Sequence, residues 1–254
     1  GPNAFVTITL PDASAISLPS QSRIRVEKLR RVLLTGGYDR NFVLEAGRSR
    51  SSVTPIRDSG SNFRVTTPLS VSAVRGTDFR VALDPAGDRA LTEVVGGTVG
   101  VAPDEDKDAV AVPKSFGTIA TPAGVEQPTA LLPGPKLLQV ERTGGDGVMI
   151  GMQAVDGATR YRTQLATDLD FRNVIAETVS DTPAASFNGL GNVSFYVRLT
   201  AIAASGLEGL PATYALGQRP VADAGGSRPQ QIQFSMTGDG RTQPATLSAH
   251  PTLR

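Results

Sequence analysis

Four carboxylates in the second half of the chain are the residues whose types and spacing could support catalysis. They are Asp168, Asp170, Glu177 and Asp181. Two carboxylates that face a cleft can cleave a glycosidic bond, one as the acid and the other as the base or nucleophile. Alternatively, these residues cap turns, because aspartate accepts hydrogen bonds from the backbone that follows it. The capping interpretation predicts that the protein is not an enzyme.

Metal and nucleophile chemistry has little support in this sequence. The chain has no cysteine, which excludes a disulfide framework, a thiolate zinc site and a cysteine nucleophile. Its single histidine, His250, lies four residues from the end, where a catalytic or ligating side chain is poorly held. An acidic loop at 104–108 lacks the glycine and the distal glutamate of an EF-hand, so a solvated hairpin tip is the alternative to calcium. We expect no cofactor and no metal.

A basic stretch near the N-terminus is a candidate contact surface. Arg23, Arg25 and Lys28 alternate with apolar residues, which is typical of a strand with one solvent-facing side. The same face could bind a phosphate, a glycan or a protein. The whole chain has 25 Lys and Arg against 24 Asp and Glu, so no global field attracts nucleic acid.

No run of about 18 apolar residues is present, and the sequence therefore predicts no membrane span. Gly1 and Pro2 are typical of the residues left by tag removal. An excised piece of a longer protein would have these ends, and the missing signal sequence therefore carries no conclusion about the native protein.

The stretch from Ser70 to Val81 organises the first half of the chain. Two segments that alternate with the period of a half-buried strand meet at Gly76. A glycine at such a junction indicates a bulge or a close backbone approach. We expect Gly76 to let the backbone turn between layers, with Arg75 buried and satisfied by backbone carbonyls or Asp78. The alternative is that Arg75 is a contact residue. Gly76→Val should then unfold residues 4–133 and leave the second unit intact.

Two local similarities predict an internal duplication. Residues 23–26 resemble residues 78–81, and residues 44–47 resemble residues 94–97, at offsets of roughly 50 to 55. The alternative is coincidence among short strands, because a two-residue period is degenerate.

The rest of the chain predicts an all-β protein with two units. Residues 3–121 form the first unit, and the Pro- and Gly-rich residues 122–135 form a stiff linker. Seven candidate strands in residues 136–217 are typical of an immunoglobulin-like sandwich. Residues 218–254 are polar and are interpreted as a tail or as the start of a further module.

The stretch Val74-Arg75-Gly76-Thr77-Asp78-Phe79, followed by residues 93–101, resembles the FecR-like domain of bacterial envelope proteins. The resemblance extends over about residues 4–133 and implies a two-repeat β-roll or solenoid-like fold. The signature residues that it singles out are Val74, Arg75, Gly76, Thr77, Asp78, Phe79 and Gly97.

Residues 136–217 resemble a fibronectin type III module. Residues 161–171 are similar to its middle strands, and residues 195–202 are similar to the strand with its tyrosine corner. The core tryptophan of that family would fall near Met152, and this chain has no tryptophan.

Together the two resemblances imply a non-enzymatic, periplasmic scaffold or interaction protein of the cell envelope. Its partner would be an envelope protein, for example a receptor for which this chain is a sensory partner. The alternative function is a peptidoglycan- or carbohydrate-binding module.

Overall fold

The computed structural model describes residues 4–34, 36–143, 146–190 and 194–216. These residues form 21 strands joined by turns and loops, and they contain no helix. The expected all-β class is therefore confirmed for the described residues. Within those ranges, no helix could cross a membrane.

The first half of the chain builds two sheets from 14 strands. The strands are β1 (Val6–Thr9), β2 (Ala15–Leu18), β3 (Arg23–Arg31), β4 (Tyr38–Ala46), β5 (Arg48–Ser52), β6 (Phe63–Thr66), β7 (Val71–Val74), β8 (Asp78–Leu83), β9 (Ala90–Gly96), β10 (Thr98–Ala102), β11 (Val110–Pro113), β12 (Phe116–Thr121), β13 (Gly124–Val125) and β14 (Thr129–Ala130). One sheet has the order β1-β2-β5-β8-β9-β12-β13, with β14 also paired to β12. The other has the order β11-β10-β7-β6-β4-β3.

Strands β1–β5 and β6–β10 pair in equivalent ways. In each set the first two strands are antiparallel neighbours, the second pairs with the fifth, and the third pairs with the fourth. The two sets differ in which sheet holds the third and fourth strands. Strands β3 and β4 lie in the six-stranded sheet, whereas β8 and β9 lie in the other sheet. This arrangement is what a duplication would produce, and the duplication itself stays a prediction.

The core of the first unit lies between its two sheets. Phe63 of the six-stranded sheet meets Phe79 of the other edge to face, with ring centroids 6.5 Å apart. The inward positions alternate along the strands as the sequence pattern predicts. The fully buried large side chains of this core are Ile16, Phe42, Leu44, Phe63, Val65, Phe79, Val81, Val94 and Val99.

Residues 122–135, predicted as a stiff linker, contact both units: the part with β13 and β14 pairs with the first unit, and Leu132 accepts the backbone N–H of Leu210 in the second. Strands β13 and β14 both pair with β12. Leu131 is buried against Leu91, Ile119 and Leu207 in a small apolar cluster. The prolines and glycines here shape a strap of chain that packs against its neighbours, and the domain boundary at 122–135 stays a prediction.

The second unit has seven strands in two sheets. They are β15 (Leu137–Thr143), β16 (Gly147–Met152), β17 (Ala158–Ala166), β18 (Val174–Ser180), β19 (Ala184–Phe187), β20 (Phe195–Ala203) and β21 (Ala212–Leu216). The sheet orders are β15-β16-β19 and β18-β17-β20-β21. One core joins side chains of both sheets and includes Met152, where the tryptophan would have fallen. Each strand overlaps one of the seven predicted segments. The predicted tail lies outside the described residues.

Candidate functional site

The Gly76 junction carries the chain from one sheet to the other. Strand β7 ends at Val74 in the six-stranded sheet, and β8 begins at Asp78 in its neighbour. Gly76 has a φ of 127°, and a Cβ there would lie 2.7 Å from the Cα of Pro55. Only glycine tolerates both this backbone conformation and this approach. Val74 and Phe79, on either side, are buried in the core.

Gly97 rests against the same junction. Its φ is 83°, and a Cβ on it would lie 2.8 Å from the carbonyl oxygen of Gly76. The hydroxyl of Thr77 donates to the carbonyl of Thr98 at 3.1 Å. These contacts lock the β7–β8 and β9–β10 connections together, so this part of the signature has a structural role.

Arg75 and Asp78 do not form the expected pair. The side chain of Arg75 is exposed and donates to the carbonyl oxygen of Asp58, which confirms a carbonyl partner and contradicts its burial. Asp78 instead accepts a hydrogen bond from Arg50 at 2.6 Å. Position 75 falls just after β7, where the side chain points away from the core.

Arg23, Arg25 and Lys28 lie on β3, at the end of the six-stranded sheet. Among the described residues β3 pairs with β4 alone, so its other backbone edge is open. Arg23 and Arg25 are exposed, and Arg25 pairs with Glu27 and Glu45 at the surface. The structure therefore brings the three predicted cations together on one edge strand.

Apolar side chains are exposed beside these cations. Val26 is 47% exposed, Leu29 is 51% exposed, and Leu33 and Leu34 in the following turn are almost fully exposed. An open strand edge with exposed apolar residues is a template for pairing with another chain. We call β3 and the turn at Leu33 and Leu34 the edge surface.

A second candidate region, not anticipated from sequence, is a cluster of buried charges between the two units. Glu208, in the loop between β20 and β21, accepts hydrogen bonds from Arg80 at 3.2 Å and Arg162 at 3.0 Å. It also pairs with Arg48 and accepts the hydroxyl of Thr200 at 2.8 Å. Arg48 and Arg80 belong to the first unit, and the other three residues belong to the second.

Two more carboxylates complete this charge cluster. Glu93, whose side chain is 3% exposed, pairs with Arg80 at 3.3 Å and accepts the backbone N–H of Glu208 at 3.1 Å. Glu177 pairs with Arg162 at 2.6 Å and with Arg48 at 3.0 Å. Each of these carboxylates therefore faces at least one arginine.

The cluster sets the ionisation of its members. Burial opposes ionisation of Glu208, but Arg48, Arg162 and Arg80 outweigh it and hold its pKa well below the usual range. At Glu93 burial prevails over the attraction of Arg80, and the repulsion of Glu208 adds to it, so its pKa is raised. Glu208 is thus the fixed negative centre on which the arginines converge.

The four carboxylates considered for catalysis do not form a pair. Asp168 accepts the backbone N–H groups of Arg172 and Asn173 at 3.0 and 2.7 Å, as the capping interpretation predicts. Glu177 forms ion pairs with Arg48 and Arg162 in the charge cluster. Asp170 and Asp181 are exposed. The arrangement offers no acid and base across a cleft.

The acidic loop also folds as a turn. Asp104 accepts the backbone N–H of Asp106 at 2.9 Å. Across the described residues, no group of three or more His, Cys, Asp or Glu side chains could hold a metal ion. His250 lies outside them.

Comparison with known proteins identifies the first part of the chain. Residues 1–100 match the family model described as FecR protein, so this part carries a FecR domain. The matched range includes the edge surface and the Gly76 junction. No curated protein matches the chain.

Among solved structures, the chain is similar to two crystal structures of a "putative anti-sigma factor" from Parabacteroides distasonis ATCC 8503, at 1.65 and 2.50 Å resolution. Each has a TM-score of 0.40 and 19% sequence identity, and each alignment covers 51% of this chain. The alignment spans 57% of the length of those chains, a little over half.

Proposed function

We propose that this chain is a non-catalytic part of a sensory or signal-transduction system and acts by docking to a protein of the cell envelope. The FecR match supports a regulatory role for the first unit. The second unit, which we interpret as fibronectin type III-like, serves as a rigid support, and the periplasm is the proposed location.

The observation that carries the proposal is the edge surface. Strand β3 has nine residues, an open backbone edge and apolar side chains that remain in solvent. The occupant we propose is an extended segment of the partner, which adds to β3 as a further strand. Arg23, Arg25 and Lys28 favour a segment with acidic residues between its apolar ones, because opposite charges across strands attract.

Site-specific photo-cross-linking in cells tests this proposal. A cross-linking side chain at Lys28 should capture a specific envelope protein, and the double substitution Val26→Lys with Leu29→Lys should abolish the product. Both positions are already partly exposed, so the substitutions should leave the fold intact.

Lys107, an exposed lysine on the acidic loop, is the matched control position. The proposal is contradicted if the same protein is captured equally from Lys107, or if the double substitution leaves capture from Lys28 unchanged.

No observation favours the alternative of glycan binding. Sugar-binding surfaces stack rings on exposed aromatics, whereas Tyr38 is the one strongly exposed aromatic among the described residues. Sedimentation with purified peptidoglycan sacculi checks this, and the chain should remain in the supernatant.

A further inference from the structure

A cavity of about 130 Å³ lies between the two units, and its lining includes Arg48, Arg80, Glu93, Arg162 and Glu208 of the charge cluster. Strands β1, β2, β5 and β8 of the first unit line one side. Strands β17 and β20 and the loop that holds Phe171 line the other. An engineered apolar cavity of roughly this size holds one benzene molecule, so the space suits a ligand of a few heavy atoms.

Arg198 on β20 is the unusual side chain in this cavity. The residue is 7% exposed, and its guanidinium carbon lies 3.8 Å from the centroid of the Phe171 ring. Its Nε–H is buried without a hydrogen-bond partner. No described residue forms an ion pair with it. A buried charge in this position normally requires a partner.

The neighbouring arginines that are not exposed differ from Arg198 because each pairs with a carboxylate. Arg48, Arg80 and Arg162 share the three glutamates of the cluster, and Arg50 pairs with Asp78. Five arginines therefore face four carboxyl groups, and Arg198 is the one left over. Burial, followed by repulsion from Arg50, lowers the pKa of Arg198 well below its ordinary value.

A second donor in the same cavity also lacks a partner. Ser49 on β5 is 2% exposed and lines the cavity, and its hydroxyl makes no hydrogen bond to a described residue. The first unit thus contributes one hydroxyl without a hydrogen-bond partner, and the second contributes one Nε–H without a partner.

We propose that this cavity binds a small oxyanion, a carboxylate or a phosphate-type group, with Arg198 as its principal ligand and Ser49 as a second donor. The planar guanidinium fork matches two oxygens of such an anion, and one negative charge balances the surplus arginine. Phosphate-type anions and carboxylates share this chemistry, and the experiment distinguishes them.

Because both units line the cavity, the anion would bind the docked arrangement and stabilise it by mass action. This inference is independent of the edge surface and of the proposed function.

Arginine side-chain NMR on the full ¹⁵N-labelled chain tests the proposal. Sodium phosphate and sodium acetate are titrated separately, each against sodium chloride at equal ionic strength. A single Nε–Hε signal, assigned to Arg198 by its loss in Arg198→Met, should shift saturably with at least one of the two anions. The anion that shifts it at lower concentration identifies the class.

Thermal unfolding supplies the second measurement. The anion that shifts the signal should raise the melting temperature of the native chain more than chloride does, and Arg198→Met should weaken its binding at least about tenfold. Arg142→Met is the matched control, because Arg142 also lies over a phenylalanine ring, that of Phe195, but outside the cavity. It should retain the anion effect.

Either of two results overturns the proposal. One is an Arg198 signal that shifts no more with phosphate or acetate than with chloride, which a cavity filled with water alone would give. The other is an anion affinity that is unchanged in Arg198→Met. Methionine retains the apolar stem and removes an unpaired charge, so we expect this variant to fold. If it does not, Arg198→Lys, which keeps a cation at this position, supplies the assignment, and the saturable shift of the assigned signal in the native chain decides.

Discussion

The junction inside the first unit and the junction between the two units are built on opposite principles. At Gly76 the chain is held by backbone shape, with a φ of 127° and a contact that excludes any side chain. Between the units the chain is held by charge, with Arg48, Arg80 and Arg162 around Glu208. The first junction depends on residues close in sequence, whereas the second joins residues more than 100 positions apart.

Gly76→Val should have the largest effect, because it adds both strain at positive φ and a clash with Pro55. We expect a loss of more than about 4 kcal/mol in the free energy of unfolding, measured by urea denaturation. Gly87→Val is the control, because Gly87 also has a positive φ, of 77°, and an open surrounding. It should cost only about 1–2 kcal/mol.

The same variant shows whether the two junctions are coupled. Sequence alone predicts that the second unit stays intact in Gly76→Val. The structure changes that expectation, since unfolding of the first unit would remove Arg48 from Glu177 and would remove both Arg48 and Arg80 from Glu208. We expect the second unit to melt at a lower temperature as well; an unchanged second transition would contradict the coupling.

Glu208→Gln should have the next largest effect. The substitution keeps the shape and removes the charge on which three buried arginines converge, and breaking such a pair costs about 3–5 kcal/mol. Urea denaturation measures the loss. Glu45→Gln, which affects the surface pair with Arg25, should change stability by less than about 1 kcal/mol.

Acid should weaken the junction between the units in the same way. The pKa of Glu208 is lower in the folded protein than in the unfolded chain, where it is about 4.3. Its stabilising contribution is therefore complete above that value and is lost as the pH falls below it towards the folded-state pKa. The pKa of Glu93 is raised in the folded protein, so its effect has the opposite sign. Glu93 lowers the free energy of unfolding as the pH rises above the ordinary pKa of a glutamate.

The pH effect is measured by comparing the unfolding free energies of the native chain and Glu208→Gln from neutral to acidic pH. The difference between them should shrink on acidification below about pH 4. A difference that stays constant would show that Glu208 does not carry the acid sensitivity.

Arg25→Ala should have the smallest effect. Arg25 is exposed and its ion pairs with Glu27 and Glu45 lie in solvent, so its loss should change stability by less than about 1 kcal/mol. Unfolding of the native chain and the variant in urea checks this. A large loss would show that the edge surface is structural and not free to bind.

Much of the fold could be predicted because its determinants are local. Two-residue alternation located the strands of both units, and Gly76 and Gly97 marked the turns between sheets. Arg75 was misplaced because the alternation cannot show where a strand ends. The packing of residues 122–135 could not be predicted, because proline and glycine indicate a break in strands and not where the broken chain packs.

The candidate site could be predicted only in part. The edge surface was visible in the spacing of Arg23, Arg25 and Lys28. The charge cluster was not, because its residues are single charges scattered along strands, and their pairing depends on how the units dock. Arg198 lies within the predicted strand 195–202, and an arginine in that otherwise apolar run was the one signal available.

The charge cluster also bears on how such a protein could be assembled from interchangeable parts. A module joined by a flexible tether can be exchanged for another without altering its neighbour. Here the first unit alone would leave Arg48 without an acceptor and Arg80 with Glu93 alone, and the second alone would leave Glu208 with Arg162 as its one remaining cation of the three. The two units therefore form a matched set, and a chimera that replaces one must also rewrite the charges of the other.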